Sequence, residues 1–285
     1  MGDAIGLKIP YKLVPALGVE VRHKQMGEAL RLGFPKLQPV DIEDGRSISI
    51  ACYGPSLADT WQDIKRPIIT VSGALHFLAE RGIVPDYHID CDPRAHKTKH
   101  IKDPVINGVH YIMGSCCPPE TWEVLKGQKI SLVHFYMGQS TAEWLGANDP
   151  GSFMVRPGST VGMAAIHIAG MLGYRHFEIH GMDGSIRDGQ RHAGPHYGHS
   201  QGGITWDAGG VTYQTSQIMS NACAEVINSC RTFPIFPVFH GTGLQQALLA
   251  EERDLPNVAL AGDHVKAEKV RNAKAVILGV IPKAA

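Results

Sequence analysis

Residues 158–200 read GSTVGMAAIHIAGMLGYRHFEIHGMDGSIRDGQRHAGPHYGHS. A small polar turn, Gly158-Ser159-Thr160, opens the stretch. An apolar helix is expected over Val161–Leu172, with Ser159 or Thr160 able to cap its start and Gly173 suited to its end. A short apolar strand, His176–His180, leads to Gly181-Met182-Asp183, and a Gly- and His-rich loop runs on to His196-Tyr197-Gly198-His199-Ser200. In a parallel α/β sheet, ligands sit at the carboxyl ends of strands and the amino ends of helices. This stretch places a helix start, an acid and a histidine cluster near one such edge.

Working outward, the same alternation recurs. Strands are expected over Ser47–Tyr53, Pro67–Ser72, Asp86–Asp92, Val109–Ser115, Lys129–Tyr136 and Pro234–Phe239. Helices are expected over Ala58–Ile64, Gly73–Arg81, Pro119–Leu125 and Tyr213–Cys230, with one more within Val19–Leu32. Repeated strand–helix units of this length predict an α/β, Rossmann-like fold with a mostly parallel, doubly wound sheet. The expected layout is an N-terminal arm over 1–44, the Rossmann-like domain over 45–263 and a C-terminal tail over 264–285. The tail carries Lys266, Lys269, Arg271 and Lys274 and reads as a solvated helix face.

Composition narrows the function. The chain has 27 basic and 27 acidic side chains, so nothing favours electrostatic capture of nucleic acid or an anionic membrane. Its longest apolar runs are too short for a membrane span, and the first residues lack a signal-peptide core. Six cysteines form no C-x-x-C pair, which points to a reduced, cytoplasmic protein.

Three turns can carry chemistry. In Tyr53-Gly54-Pro55-Ser56-Leu57, Gly54 lets backbone approach a ligand, and Ser56 can cap the next helix or bond a phosphate. An ordinary strand-to-helix turn accounts for the same residues equally well. Gly158-Ser159-Thr160 offers hydroxyls and amides for a phosphate or ribose, where plain N-capping is the alternative. Asp90 and Asp92 end the third strand; alternate strand residues share a face, so the two carboxylates could share a divalent cation, or Asp92 could simply open a turn before Pro93. His192, His196 and His199 are spaced four and three apart, but Gly194, Pro195 and Gly198 oppose a regular helix there. A loop carrying one catalytic histidine suits them better than a zinc site. His76, His88 and His167 and the four tryptophans are read as packing residues.

Together these blocks resemble the superfamily of the 6-hydroxymethylpterin diphosphokinases and the motility-associated flagellin glycosyltransferases. The resemblance rests on Gly54-Pro55-Ser56-Leu57, Gly82-Ile83-Val84-Pro85-Asp86 and Asp90-Cys91-Asp92-Pro93. The later part is similar to the bacterial lipooligosaccharide sialyltransferases at Val161-Gly162, Leu172-Gly173-Tyr174, Gly181-Met182-Asp183 and His196-Tyr197-Gly198-His199-Ser200. The likeness lies within residues 47–200. It implies a nucleotide-activated donor held by Gly54, Pro55, Ser56, Ser72, Ser159, Thr160 and Asp183, a donor-phosphate contact from Tyr197, and His199 as general base. The sequence departs from the sialyltransferases, which carry asparagines where Tyr53, Ser72 and Asp92 stand and a serine where Val161 stands.

The expected function is that of a transferase. Glycosyl transfer from a nucleotide sugar, such as a CMP-sugar, to a hydroxyl acceptor leads. The alternative is diphosphate transfer from ATP to a small heterocyclic alcohol, with magnesium on Asp90 and Asp92. A nucleotide-binding module without catalysis is the third reading. Small-molecule donor and acceptor are the expected partners, and an oligomer is compatible with the sequence.

Overall fold

The computed structural model describes residues 16–40, 46–194, 203–252 and 255–271. In chain order the elements are α1 (Val19–Arg31), β1 (Ser47–Ala51), α2 (Leu57–Thr60), β2 (Ile68–Val71), α3 (Ala74–Ala79), β3 (Tyr87–Asp90), α4 (Lys99–Lys102), β4 (His110–Gly114), α5 (Pro119–Val124) and β5 (Lys129–Phe135). There follow α6 (Gln139–Asn148), β6 (Met154–Val155), α7 (Val161–Met171), β7 (His176–His180), β8 (Ile204–Ala208), β9 (Val211–Thr215), α8 (Gln217–Thr232), β10 (Phe236–Phe239), α9 (Leu244–Glu251), β11 (Ala259–Leu260) and α10 (His264–Arg271). Short 3-10 turns cover Trp61–Asp63 and Ala95–Thr98.

Among the described residues, nine strands form one sheet in the order β11-β10-β7-β1-β2-β3-β4-β5-β6. Every neighbouring pair in it is parallel. This is the Rossmann-like, doubly wound α/β arrangement. The central strands are buried along nearly their whole length, as in a sheet covered on both faces. Ile50 of β1 lies between Ile69 of β2 and Ile179 of β7, and all three are buried. α7 is apolar nearly all round, buries eight of its 11 residues and crosses the sheet against β1, β2 and β3.

Two expectations need correction. Tyr213 lies not in a helix but in β9, paired with Trp206 of β8 in an antiparallel hairpin. Gly209 and Gly210 form its tip with φ of 57° and 74°, the geometry that a two-residue hairpin turn demands. The helix begins later, at Gln217, where the Ser216 hydroxyl accepts from the Met219 amide at 3.3 Å. The basic C-terminal helix α10 is solvated on one side only. It buries Ala267 and Val270 against β10 and β11, and Arg271 Nε donates to Glu178 Oε1 of β7 at 2.7 Å.

Candidate active site

The strand order reverses at β1: the chain leaves it towards β2 and returns, through α7, to β7 on its other side. The crevice outside such a reversal is where open α/β sheets bind ligands. The ends of β1 and β7 are tied there by backbone bonds, Cys52 N to His180 O and Gly54 N to Gly181 O, both 2.8 Å. Ser56 is then joined to Asp183. Its amide donates to Oδ2 at 2.7 Å and its hydroxyl donates to Oδ1. Asp183 is only 3% exposed, and burial pushes its carboxyl up to about 6 against the pull of the Ser56 hydrogen bonds. The packing tolerates no side chain at Gly54, where a Cβ would lie 2.6 Å from Asp183 Oδ2. Gly241, with φ of 94°, closes the knot from the end of β10; a Cβ there would come within 2.5 Å of Ser56 Cβ.

The start of α7 adjoins this knot, because Gly162 lies against Cys52 and Met182. Neither hydroxyl expected to cap α7 does so. Thr160 is the cap residue but makes no side-chain cap bond. Ser159 gives its amide and hydroxyl to Glu225 of α8, at 2.6 and 2.9 Å. A carboxylate is a stronger acceptor than a neutral group, so it takes both donors.

On the other side of β1, Ser72 ends β2 in a left-handed conformation with φ of 52°, rare for a residue with a side chain. Asp90 ends β3, accepts the Asp92 amide at 2.9 Å and is pushed up to about 6 by burial. Burial also pushes Asp92 upward, but Arg94 outweighs it and holds the carboxyl below its usual range. Arg94 Nε and Nη2 grip the Asp92 oxygens at 2.8 and 2.6 Å.

The connection after β7 folds back across this edge. Arg187 bonds the Pro55 carbonyl at 3.0 Å and pairs with Asp59. The His192 ring stacks on Tyr53 with centroids 5.5 Å apart and planes 17° apart, and the Ala193 amide donates to Tyr53 O at 3.0 Å. Burial lowers His192 to about 4, with Lys97 and Arg191 adding to the effect.

The structure therefore brings Gly54, Pro55, Ser56, Asp183 and the Ser159-Thr160 turn to one crevice, with Ser72, Asp90 and Asp92 further along the same edge. His196, Tyr197 and His199 lie outside the described residues. Among the described residues, no group of three or more His, Cys, Asp or Glu is arranged to hold a metal ion. None of their helices is long and apolar enough to cross a membrane. Sequence reasoning missed Arg94, Lys97, His100, Arg187 and Glu225. One signal was present: Arg94, Lys97 and His100 are three apart, the period at which a 3-10 turn aligns side chains.

A family model described as 6-hydroxymethylpterin diphosphokinase MptE-like matches residues 27–189. The chain belongs to this family. The match spans β1 to β7 and the connection beyond, so the reversal, the glycine turn and Asp90, Asp92 and Asp183 of this MptE-like chain fall inside it. Among solved structures, it is similar to the MAf glycosyltransferase from Magnetospirillum magneticum AMB-1, with a TM-score of 0.63 and 17% identity. That alignment covers 89% of this chain and 43% of the glycosyltransferase, so the MptE-like chain spans less than half of its neighbour. At this identity the likeness is one of fold. No curated protein matches. Diphosphokinases are transferases, and that is the class the family match supports.

Proposed function

We propose that the protein transfers a group from a nucleotide-activated donor, held in the crevice outside β1 and β7, to the hydroxyl of a small acceptor. The observation that carries this reading is the convergence of the Gly54–Ser56 turn, Asp183 and the start of α7 at the reversal of strand order. Glycosyl transfer from a nucleotide sugar, such as a CMP-sugar, is the leading form. His199 takes the acceptor proton as the acceptor oxygen bonds the sugar carbon, and the nucleotide leaves with the electrons of the broken bond. The state of the two acids supports this form. Asp92 is already gripped by Arg94. As they stand, the pair does not suit magnesium, and no step is drawn through the ion.

Diphosphate transfer from ATP to a heterocyclic alcohol is the second reading, favoured by the family match. It requires Arg94 to release Asp92. Six free cysteines, buried or half-buried, support a reducing, cytoplasmic setting.

The test is a thermal-shift screen with cytidine, uridine, guanosine and adenosine nucleotides, followed by turnover with and without chelator. A nucleotide at one hundred times its dissociation constant stabilises by about 2.7 kcal/mol. Turnover that persists in excess chelator is the expected result. A strict magnesium requirement would select diphosphate transfer, and binding without turnover would leave a nucleotide-binding module. Failure of every nucleotide to stabilise the protein would overturn the proposal.

A further inference from the structure

We propose that the connection from Gly184 to Gly194 is an autoinhibitory strap: it lies across the Gly54–Ser56 turn and must lift before a donor reaches that turn. The inference rests on the donor reading above, and it makes Tyr53 and His192 the clasp that keeps the strap down.

The strap engages the turn on both flanks of Gly54. Arg187 Nη2 donates to the Pro55 carbonyl at 3.0 Å, and the Ala193 amide donates to the Tyr53 carbonyl at 3.0 Å. Such carbonyls are the acceptors that a ribose hydroxyl or a base amino group would use. The amides of the turn are bonded elsewhere, Gly54 to the Gly181 carbonyl and Ser56 to Asp183. A donor arriving at this state finds the polar groups of the turn already engaged.

The two ends of the strap are held unequally. Its root is fixed: Thr215 Oγ1 donates to the Gly184 carbonyl at 2.6 Å, and the Ile186 amide donates to the Gln214 carbonyl of β9 at 2.7 Å. The middle keeps its own shape. Arg187 and Gln190 exchange amide-to-carbonyl bonds of 2.9 and 2.8 Å around Asp188 and Gly189, whose φ of 51° and 73° make a two-residue hairpin turn. The far end rests on Tyr53. That ring belongs to the body of the fold: its centroid is 6.4 Å from that of Phe77, edge to face, and a Cβ on Gly73 would meet it at 2.2 Å. His192 stacks on the ring at 5.5 Å, and a Cβ on Gly194 would lie 2.7 Å from its hydroxyl. Two glycines, one from the body and one from the strap, thus make the slot in which the clasp closes.

Both fastenings of the strap to the turn are weak enough to yield. The pair of Arg187 with Asp59 is exposed, with side chains 39% and 58% accessible, and such pairs contribute little. A stacked ring pair shifts an equilibrium by a factor of about 2 to 10. A nucleotide that binds only the lifted state has its apparent affinity reduced by the rarity of that state, so loosening the clasp tightens binding.

The probes are CMP and ADP, titrated by calorimetry into the full chain. His192→Ala should bind the nucleotide about 2- to 10-fold more tightly than wild type, and Tyr53→Phe, which keeps the ring, should match wild type. Removal of a donor contact weakens binding, and removal of a purely structural contact does not strengthen it, so the direction decides. Trypsin gives a measure that needs no variant. The bond after Arg191 lies in the strap, and saturating nucleotide should speed its cleavage severalfold in wild type, because the bound state holds the strap away. Unchanged or weaker affinity in His192→Ala, or protection of the Arg191 bond by nucleotide, would overturn the strap while the donor reading stands. If neither nucleotide binds wild type or His192→Ala, both fall together.

Discussion

Asp183 grips Ser56 from two sides, accepting its amide on one carboxylate oxygen at 2.7 Å and its hydroxyl on the other. The two residues are 127 positions apart, and both are buried. The main chain of Asp183 also accepts the Gln245 amide at the start of α9, at 2.9 Å. One acid thereby fastens the ends of β1 and β7 to the element that follows β10.

Asp183→Asn should destabilise the protein by about 1.5–3 kcal/mol, since the amide cannot accept from both Ser56 donors. Ser56→Ala should cost a similar amount. Urea denaturation of both single variants and the double variant should give a coupling energy of ~0.5–3 kcal/mol. Simple additivity would show that the pair contributes no shared stability.

Gly241→Ala should cost roughly 2–4 kcal/mol. Its backbone is left-handed, and the new methyl would run into the Ser56 side chain. Gly262→Ala is the control, because a Cβ there meets nothing within 4 Å; it should change stability by less than about 0.5 kcal/mol. Equal effects at the two sites would remove the steric argument.

Acidification should destabilise the fold. Burial holds His88 and His180 at about 3 and His100 and His192 at about 4, below the ~6.5 of an unfolded histidine. As pH falls below about 6.5, the unfolded chain takes up protons that the folded chain refuses, so stability is lost. Asp90 and Asp183, both pushed up to about 6, act in the opposite sense: the folded chain protonates them first, which adds stability as pH falls through that value. Four histidines with larger displacements outweigh two carboxyls. The unfolding temperature near pH 5 should lie roughly 5 °C or more below that near pH 7.5, a shift of a few kcal/mol at this size. A rise on acidification would contradict this balance.

His199→Ala should lower turnover about a hundredfold or more and leave donor affinity nearly intact, as removal of a general base does. Tyr197→Phe should raise the donor KM and spare kcat. Steady-state kinetics with the identified donor decides this; a dead His196→Ala variant beside an active His199→Ala variant would reassign the base.

Most of the fold was legible because its sheet is buried on both faces. Strands such as Ile68–Val71 carry a short run of β-branched residues between turn residues, so their type needs no tertiary information. The β8–β9 hairpin was legible too, since Ile204, Trp206 and Ala208 and then Val211, Tyr213 and Thr215 alternate with polar residues about the Gly209-Gly210 turn, but that period was merged into the long helix that follows. The candidate site was legible only as a set of turns. Ser56 and Ser159 were recognisable as hydroxyls at helix starts, but their carboxylate partners lie 127 and 66 positions away, and nothing local names them. Arg94 is the reverse case: its partner is two residues distant, yet charge pairing at a strand end carries no sequence signature of its own.

The sheet ends in β6 on one side and β11 on the other, and each is two residues long. A long outer strand presents a row of unpaired amides and carbonyls on which another chain can template itself. Among the described residues that row is nearly absent at both borders, despite nine strands side by side. Aggregation through strand addition is therefore blunted at the margins of the fold, and the chain can keep a wide, wholly parallel sheet without inviting its copies to extend it.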